Sequence, residues 1–198
     1  MPDEQPFKPE IHMPEAEAEM LRDAYRAARV IGEYGAGGST AFAATECEAQ
    51  LCSIESDRQW VAQLDHWLRG QNVDMGRIDL QHCDIGPTKE WGRPVNNARW
   101  QHYWRYPYAL WQNPAFNPDL VLIDGRFRIA CLAACMLHCR QPLTVLIDDY
   151  SGRESYHVVE AIKPHTEIIG RMARFEIEPR QISQADFVRM VPWFFQMR

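Results

Sequence analysis

Glu33-Tyr34-Gly35-Ala36-Gly37-Gly38-Ser39-Thr40 follows a short apolar run, Arg29-Val30-Ile31-Gly32, and precedes an alanine-rich stretch. That order predicts a strand, a glycine-rich turn and a helix start. Glycine has no Cβ, so such a turn lets the backbone press against a ligand. Amides at the start of the following helix then point at that ligand.

Glu33 stands where the strand should end, two residues before the first glycine. A dinucleotide would bring its pyrophosphate close to this turn. A carboxylate beside that phosphate costs roughly 4 kcal/mol at about 4 Å and an effective dielectric of about 20. S-adenosylmethionine carries an ammonium and a sulfonium, so the same acid favours it over NAD. The NAD fingerprint is also incomplete, because Thr40 holds its third glycine position.

Working outward, the chain alternates. An amphipathic helix is expected over 15–28, then strands over 29–34, 50–54, 77–85, 119–123 and 143–147. Helices are expected over 39–45, 57–68, 126–138 and 153–162, with Ser39 and Ser56 as cap candidates. A sixth strand is expected over 172–178. The aromatic tail over 187–195 is interrupted by Pro192 and fits helix or strand. Strands separated by helices imply parallel pairing with right-handed crossovers. Uninterrupted runs such as Leu120-Val121-Leu122-Ile123 suit central strands covered on both faces. One domain spanning 1–198 is expected, with residues 1–14 as an extended, proline-rich arm.

Residues 86–117 break the alternation and hold Trp91, Trp100, Tyr103, Trp104, Tyr106, Tyr108 and Trp111. A loop this long in a compact domain carries function or its own structure. Three readings stand: a lid over a substrate site, an oligomer interface, or packing against the domain.

The 198 residues include 21 Lys and Arg against 27 Asp and Glu, a net charge of −6. No broad basic stripe exists, which argues against nucleic acid as a partner. No apolar run reaches membrane-spanning length, and residues 1–19 lack the apolar core of a signal peptide. A cytoplasmic protein is the simplest expectation. Cys131, Cys135 and Cys139 recur on one face of the 126–138 helix, and no C-x-x-C pair exists. They read first as reduced core residues, with a zinc site from Cys135, His138 and Cys139 as the alternative.

Acids recur where parallel strands should end: Glu33, Glu55, Asp84, Asp124, and the pair Asp148-Asp149. In an open α/β sheet these ends form the ligand crevice. A carboxylate at Glu55 is placed to accept both ribose hydroxyls, unless it serves the turn that continues through Ser56 to Asp57. Asp84 is placed to accept an adenine amino group, unless it is an ordinary solvated acid.

The pattern Glu33-x-Gly-x-Gly-Gly38, Ile54-Glu55 and Asp119-Leu-Val-Leu-Ile-Asp124-Gly125 resembles class I S-adenosylmethionine-dependent methyltransferases across residues 29–178. The resemblance implies a three-layer Rossmann-like sandwich with a mostly parallel seven-stranded sheet and an antiparallel last strand. It would draw its seventh strand from the tail. It places the cofactor over the first two strands. Glu33, Gly35, Ala36 and Gly37 would hold the methionine part, Glu55 with Ser56 the ribose, and Asp84 the adenine. Asp124 with Asp148-Asp149-Tyr150 looks like the metal site of macrocin-type sugar O-methyltransferases, and is similar to that of catechol O-methyltransferase.

Three carboxylates sharing a crevice repel unless one is protonated or a cation neutralises them. Mg²⁺ on Asp124, Asp148 and Asp149 is therefore expected to orient an acceptor hydroxyl, unless these acids serve the turns or contact the cofactor, Asp124 being the cofactor-binding candidate among them. Asp124 or His157 would take the proton. Arg126 and Arg128 favour an anionic substrate if they face the crevice, and form an ordinary helix start if they face solvent. After the fourth strand stands Asp124-Gly125-Arg126-Phe127, in place of the Asn/Asp-Pro-Pro-Tyr/Phe motif of base methylases. The expected activity is methylation of a small molecule, at oxygen, by a homo-oligomer joined through the aromatic insert. A non-catalytic nucleoside-binding scaffold and an NAD-dependent oxidoreductase are the competing readings.

Overall fold

Alternate residues of the central strands feed two separate cores. Val121 and Ile123 join Tyr34, Ile54, Val145 and the helix around Cys131 on one face. Leu120 and Leu122 join Leu21, Tyr25, Ile31, Leu51 and Leu146 on the other. A strand whose side chains are apolar on both faces must lie between two helical layers.

The structure is a computed structural model that describes residues 7–197. Residues 1–6 of the expected arm lie outside the described residues. The main-sheet strands, numbered in chain order, are β1 (Val30–Tyr34), β2 (Gln50–Glu55), β3 (Ile78–His82), β4 (Leu120–Ile123), β5 (Leu143–Ile147), β6 (Glu167–Ile169) and β7 (Met172–Ile177). Their order is β3-β2-β1-β4-β5-β7-β6. Strands β1 to β5 pair in parallel. β7 runs antiparallel to β5 and to β6. The helices are α1 (Glu15–Ala27), α2 (Gly38–Glu46), α3 (Arg58–Arg69), α4 (Arg105–Ala109), α5 (Arg128–His138) and α6 (Gln184–Met190). This is the α/β Rossmann-like architecture expected, with its antiparallel last strand. The order reverses between β1 and β4, so the crevice opens above the glycine-rich turn.

Several elements differ from the sequence reading. The seventh strand is Glu167–Ile169, joined to β7 by a tight turn at Gly170, whose φ is 54°. A three-residue strand carries too little alternation to be seen in sequence. The tail is α6 followed by a 3₁₀ turn over Val191–Phe195. Residues Glu154–Ala161 form 3₁₀ rather than α helix. Asp57, not Ser56, caps α3, accepting from the amides of Gln59 and Trp60. Ser39 does not cap α2; Gly37 holds that position, and the Thr40 hydroxyl takes the Gly37 amide at 2.9 Å.

The aromatic insert divides in two. Tyr103, Tyr106 and Trp111 are buried in the core. Trp111 Nε1 donates to Tyr34 Oη at 3.0 Å, and Tyr106 Oη donates to the Ile54 carbonyl at 3.1 Å. Trp91, Trp100, Trp104 and Tyr108 remain exposed. Packing thus accounts for three of these seven aromatics.

Glu33 is fully buried and does not face the crevice. Its carboxylate accepts from the hydroxyls of Tyr25 on α1 at 2.6 Å, Thr40 on α2 at 2.6 Å, and Ser53 on β2. Burial pushes its pKa up, and the hydroxyls partly oppose this. The expected role in holding the methionine part is therefore corrected: Glu33 braces the turn from beneath. Tyr25→Phe removes one donor from a buried acceptor and should cost about 1–3 kcal/mol of unfolding free energy, measurable by urea denaturation.

Candidate functional site

Two glycines let the β1 and β4 ends touch. Gly35 has φ 95°, and a Cβ there would stand 2.6 Å from the Gly125 nitrogen. The amides of Asp124 and Gly125 both donate to the Tyr34 carbonyl, at 2.9 and 2.6 Å. Above this junction lies a cavity of ≈ 620 Å³. Gly35, Ala36, Gly37 and Gly38 form its floor, with Glu55, Asp57 and Trp60 on one side and Asp124, Gly125 and Arg126 on the other. Such a volume suits a small-molecule ligand.

The remaining wall was not foreseen. Residues Glu10 to Met13 cross the glycine-rich turn, and a Cβ on Gly38 would collide with the Glu10 backbone. Phe7 stacks edge-on against Trp60 with centroids 5.1 Å apart, and Arg171 holds the His12 carbonyl at 3.2 Å. Trp60 Nε1 in turn donates to the Ala36 carbonyl at 2.7 Å. Trp91 and Gly92 complete the rim. Trp91 has φ 62°, a strained conformation for a bulky residue, and is 72% exposed. The contacts that seat the arm on the domain are with distant residues, so its sequence reads as a loose extension.

Glu55 reaches the cavity from the end of β2. One oxygen accepts the Asp57 amide at 2.8 Å and the Ser56 hydroxyl at 3.0 Å; the other lies 3.3 Å from the Ala36 amide. Burial raises its pKa, against these donors. Ser56 does not line the cavity; its single hydroxyl hydrogen is shared between Glu55 and the Gly92 carbonyl, each 3.0 Å away. Asp84 lies past the end of β3, exposed, accepting from the Gly86 amide at 2.9 Å, and is not a cavity residue. Its expected place at the strand end is corrected: β3 ends at His82, so Asp84 belongs to the turn that follows.

The acidic trio is neutralised by arginines. Asp148 is buried and paired with both forks of Arg171 at 2.9 Å. Asp149 meets Arg153 at 2.8 Å, Arg171 at 3.3 Å and Arg128 at 3.6 Å. Burial works to raise the Asp149 pKa, but the arginines outweigh it and hold the carboxyl below its usual range. Arg128 is itself buried; it bonds the carbonyls of Gly125, Asp124 and Asp148, and meets the Asp124 carboxylate at 3.0 Å. Guanidinium groups occupy the place of a divalent cation. Among the described residues, no group of three His, Cys, Asp or Glu side chains is arranged to hold a metal. The Mg²⁺ expectation at Asp124, Asp148 and Asp149 is therefore corrected, since the residues present do not fit the ion.

Asp124 alone of the three lines the cavity. Burial pushes its pKa up to about 7; Arg128 opposes this, while Asp148 and Asp149 add to it. Its side chain keeps 37% exposure. His157, the other candidate base, is not a cavity residue: its Nε2 lies 3.2 Å from the Tyr150 carbonyl and its ring packs on Tyr150.

In comparisons with known proteins, no family model and no curated protein matches the chain. A methyltransferase-like protein from Silicibacter pomeroyi superposes with a TM-score of 0.89 at 42% identity, covering 96% of this chain and 98% of that one. This chain belongs to that methyltransferase-like family. An RNA methyltransferase from Salinibacter ruber, solved with S-adenosyl-L-homocysteine, gives a TM-score of 0.54 at 13% identity, covering 88% of this chain and 97% of that one. The C-terminal domain of precorrin-6Y C5,15-methyltransferase from Rhodobacter capsulatus gives 0.55 at 14% identity, covering 88% and 96%. These two share the fold with this methyltransferase-like chain.

Two outcomes follow from the electrostatics. Asp124 has a folded pKa above its unfolded value of about 3.9, so its protonated form favours folding. Wild-type stability relative to Asp124→Asn should fall as pH rises from about 4 to about 7 and level off above, read from Tm against pH. Asp149→Ala should lower Tm by releasing Arg153 and Arg128, while millimolar Mg²⁺ shifts neither protein. A rise in wild-type Tm with Mg²⁺, absent in the variant, would restore the metal site.

Proposed function

We propose that this protein is an S-adenosylmethionine-dependent methyltransferase acting on a small molecule. The observation that carries the reading is the cavity itself: a glycine floor at the β1/β4 reversal with a buried carboxylate, Glu55, at the end of the neighbouring strand. Glu55 is assigned to the ribose hydroxyls and the Gly35–Gly37 backbone to the methionine portion. Trp60 supplies an apolar flank.

When bound, S-adenosylmethionine would supply an electrophilic methyl group on a cationic sulfur, for transfer to the lone pair of an acceptor with the carbon–sulfur pair left on sulfur. The chain's own groups do the rest. Asp124 favours a cationic ligand and, with a pKa raised toward neutrality, is suited to receive the acceptor's proton. The strap at Glu10–Met13 and the rim at Trp91 narrow access of water. Oxygen is the proposed acceptor atom, since Asp124-Gly125-Arg126-Phe127 lacks the prolines of the amine-methylating motif.

Six free cysteines, five of them buried, fit a reducing cytoplasm. No helix among the described residues is long and apolar enough to cross a membrane. The exposed Trp100, Trp104 and Tyr108 suit a contact with a second copy.

Calorimetry tests the cofactor. S-adenosylhomocysteine and S-adenosylmethionine should bind in the micromolar range, and NADH should not. Glu55→Ala should weaken both by about tenfold or more, the scale of losing charge-assisted hydrogen bonds. Unchanged affinity would return Glu55 to a purely structural role. Binding without methyl transfer to any acceptor would make the chain a nucleoside-binding scaffold instead.

A further inference from the structure

A second cavity, ≈ 370 Å³, adjoins the first and shares Gly125 and Arg126 with it. Lys89, Arg93, Arg126 and Arg153 line it, and among the described residues no acidic one does. This concentration of positive charge stands in a chain whose net charge is −6. Among the described residues, Arg153 alone of the four has a carboxylate partner, Asp149. Lys89 and Arg93 form no ion pair among the described residues. Arg126 Nε is buried without a hydrogen-bond partner, an arrangement that costs free energy until an acceptor arrives.

Like charges facing one small cavity repel, and an oxyanion relieves all of them at once. Guanidinium forks match carboxylate and phosphate geometry. Tyr156, Ser155, Phe127 and Pro94 add a mixed apolar and hydroxyl lining suited to an organic body rather than a bare ion. Resting on the methyl-transfer reading, we infer that the methyl acceptor is a small molecule bearing a carboxylate or phosphate. Its anion docks against Arg93, Lys89 and Arg126, and its acceptor atom faces the first cavity across Gly125–Arg126.

Lys89 and Arg93 pair across a two-residue antiparallel bridge, and the turn between them carries Trp91 and Gly92 onto the rim of the first cavity. An anion held between these two cations therefore fastens the base of that turn. Acceptor binding and closure over the cofactor cavity share one hairpin.

The test is calorimetry at low salt on the full chain saturated with S-adenosylhomocysteine, using inorganic phosphate and succinate as separate probes. Saturable binding of either supports the inference, and the tighter one identifies the anion. Arg93→Ala, an exposed change outside the first cavity, should weaken that binding about tenfold and leave S-adenosylhomocysteine affinity unchanged. Arg126→Gln should weaken it similarly. If S-adenosylhomocysteine binds but neither anion does, or if Arg93→Ala has no effect on the anion, the inference is overturned while the cofactor reading stands. If S-adenosylhomocysteine itself fails to bind, the cofactor reading is the one that fails. Single-stranded RNA that displaces phosphate at far lower concentration would also overturn a small-molecule acceptor.

Discussion

The buried Glu33 carboxylate governs the geometry of everything above it. It draws hydroxyls from α1, α2 and β2 onto the end of β1. A carboxyl group out of water is costly unless its lone pairs are satisfied. Satisfying them fixes where three elements stand relative to the glycine-rich turn. Thr40 is the link between the two levels: its hydroxyl donates downward to Glu33 and accepts the Gly37 amide above. The floor of the cavity is thus held by polar contacts in an otherwise apolar layer.

A second polar device joins the neighbouring strand ends. Arg128 bonds the carbonyls that close β4 and β5 and sets its charge between two carboxylates, Asp124 and Asp149. Arg171 and Arg153 complete the balance. A strand-end acid is therefore a different object in each place. Glu33 is a brace, Glu55 a cavity wall, Asp148 and Asp149 halves of ion pairs. Asp124 combines a cavity face with a pKa near neutrality.

The fold was legible because its signals are local. Continuous apolar runs, the glycine turn and the Asp124-Gly125 step each announce an element within a few residues. The site was legible in position and less so in role. Asp148 meets Arg171 across 23 residues, and the arm reaches Gly38 from outside the sheet entirely. Periodicity carries no information about such pairings. The metal expectation failed for this reason: carboxylate spacing was visible, the arginines that answer it were not. β6 escaped because three residues cannot display a period, and Asp84 was misplaced because the alternation continues past the last ladder contact at His82.

One consequence belongs to the strap over the glycine turn. The residues that roof the cavity precede α1 and are joined to it directly, while Arg171 tethers them from the β6–β7 turn at the opposite edge of the sheet. A ligand beneath the strap would touch Glu10–Met13 and the glycine floor at once. Occupancy is thereby linked to the order of that four-residue strap, and amide exchange along Glu10–Met13 becomes a gauge of how full the cavity is.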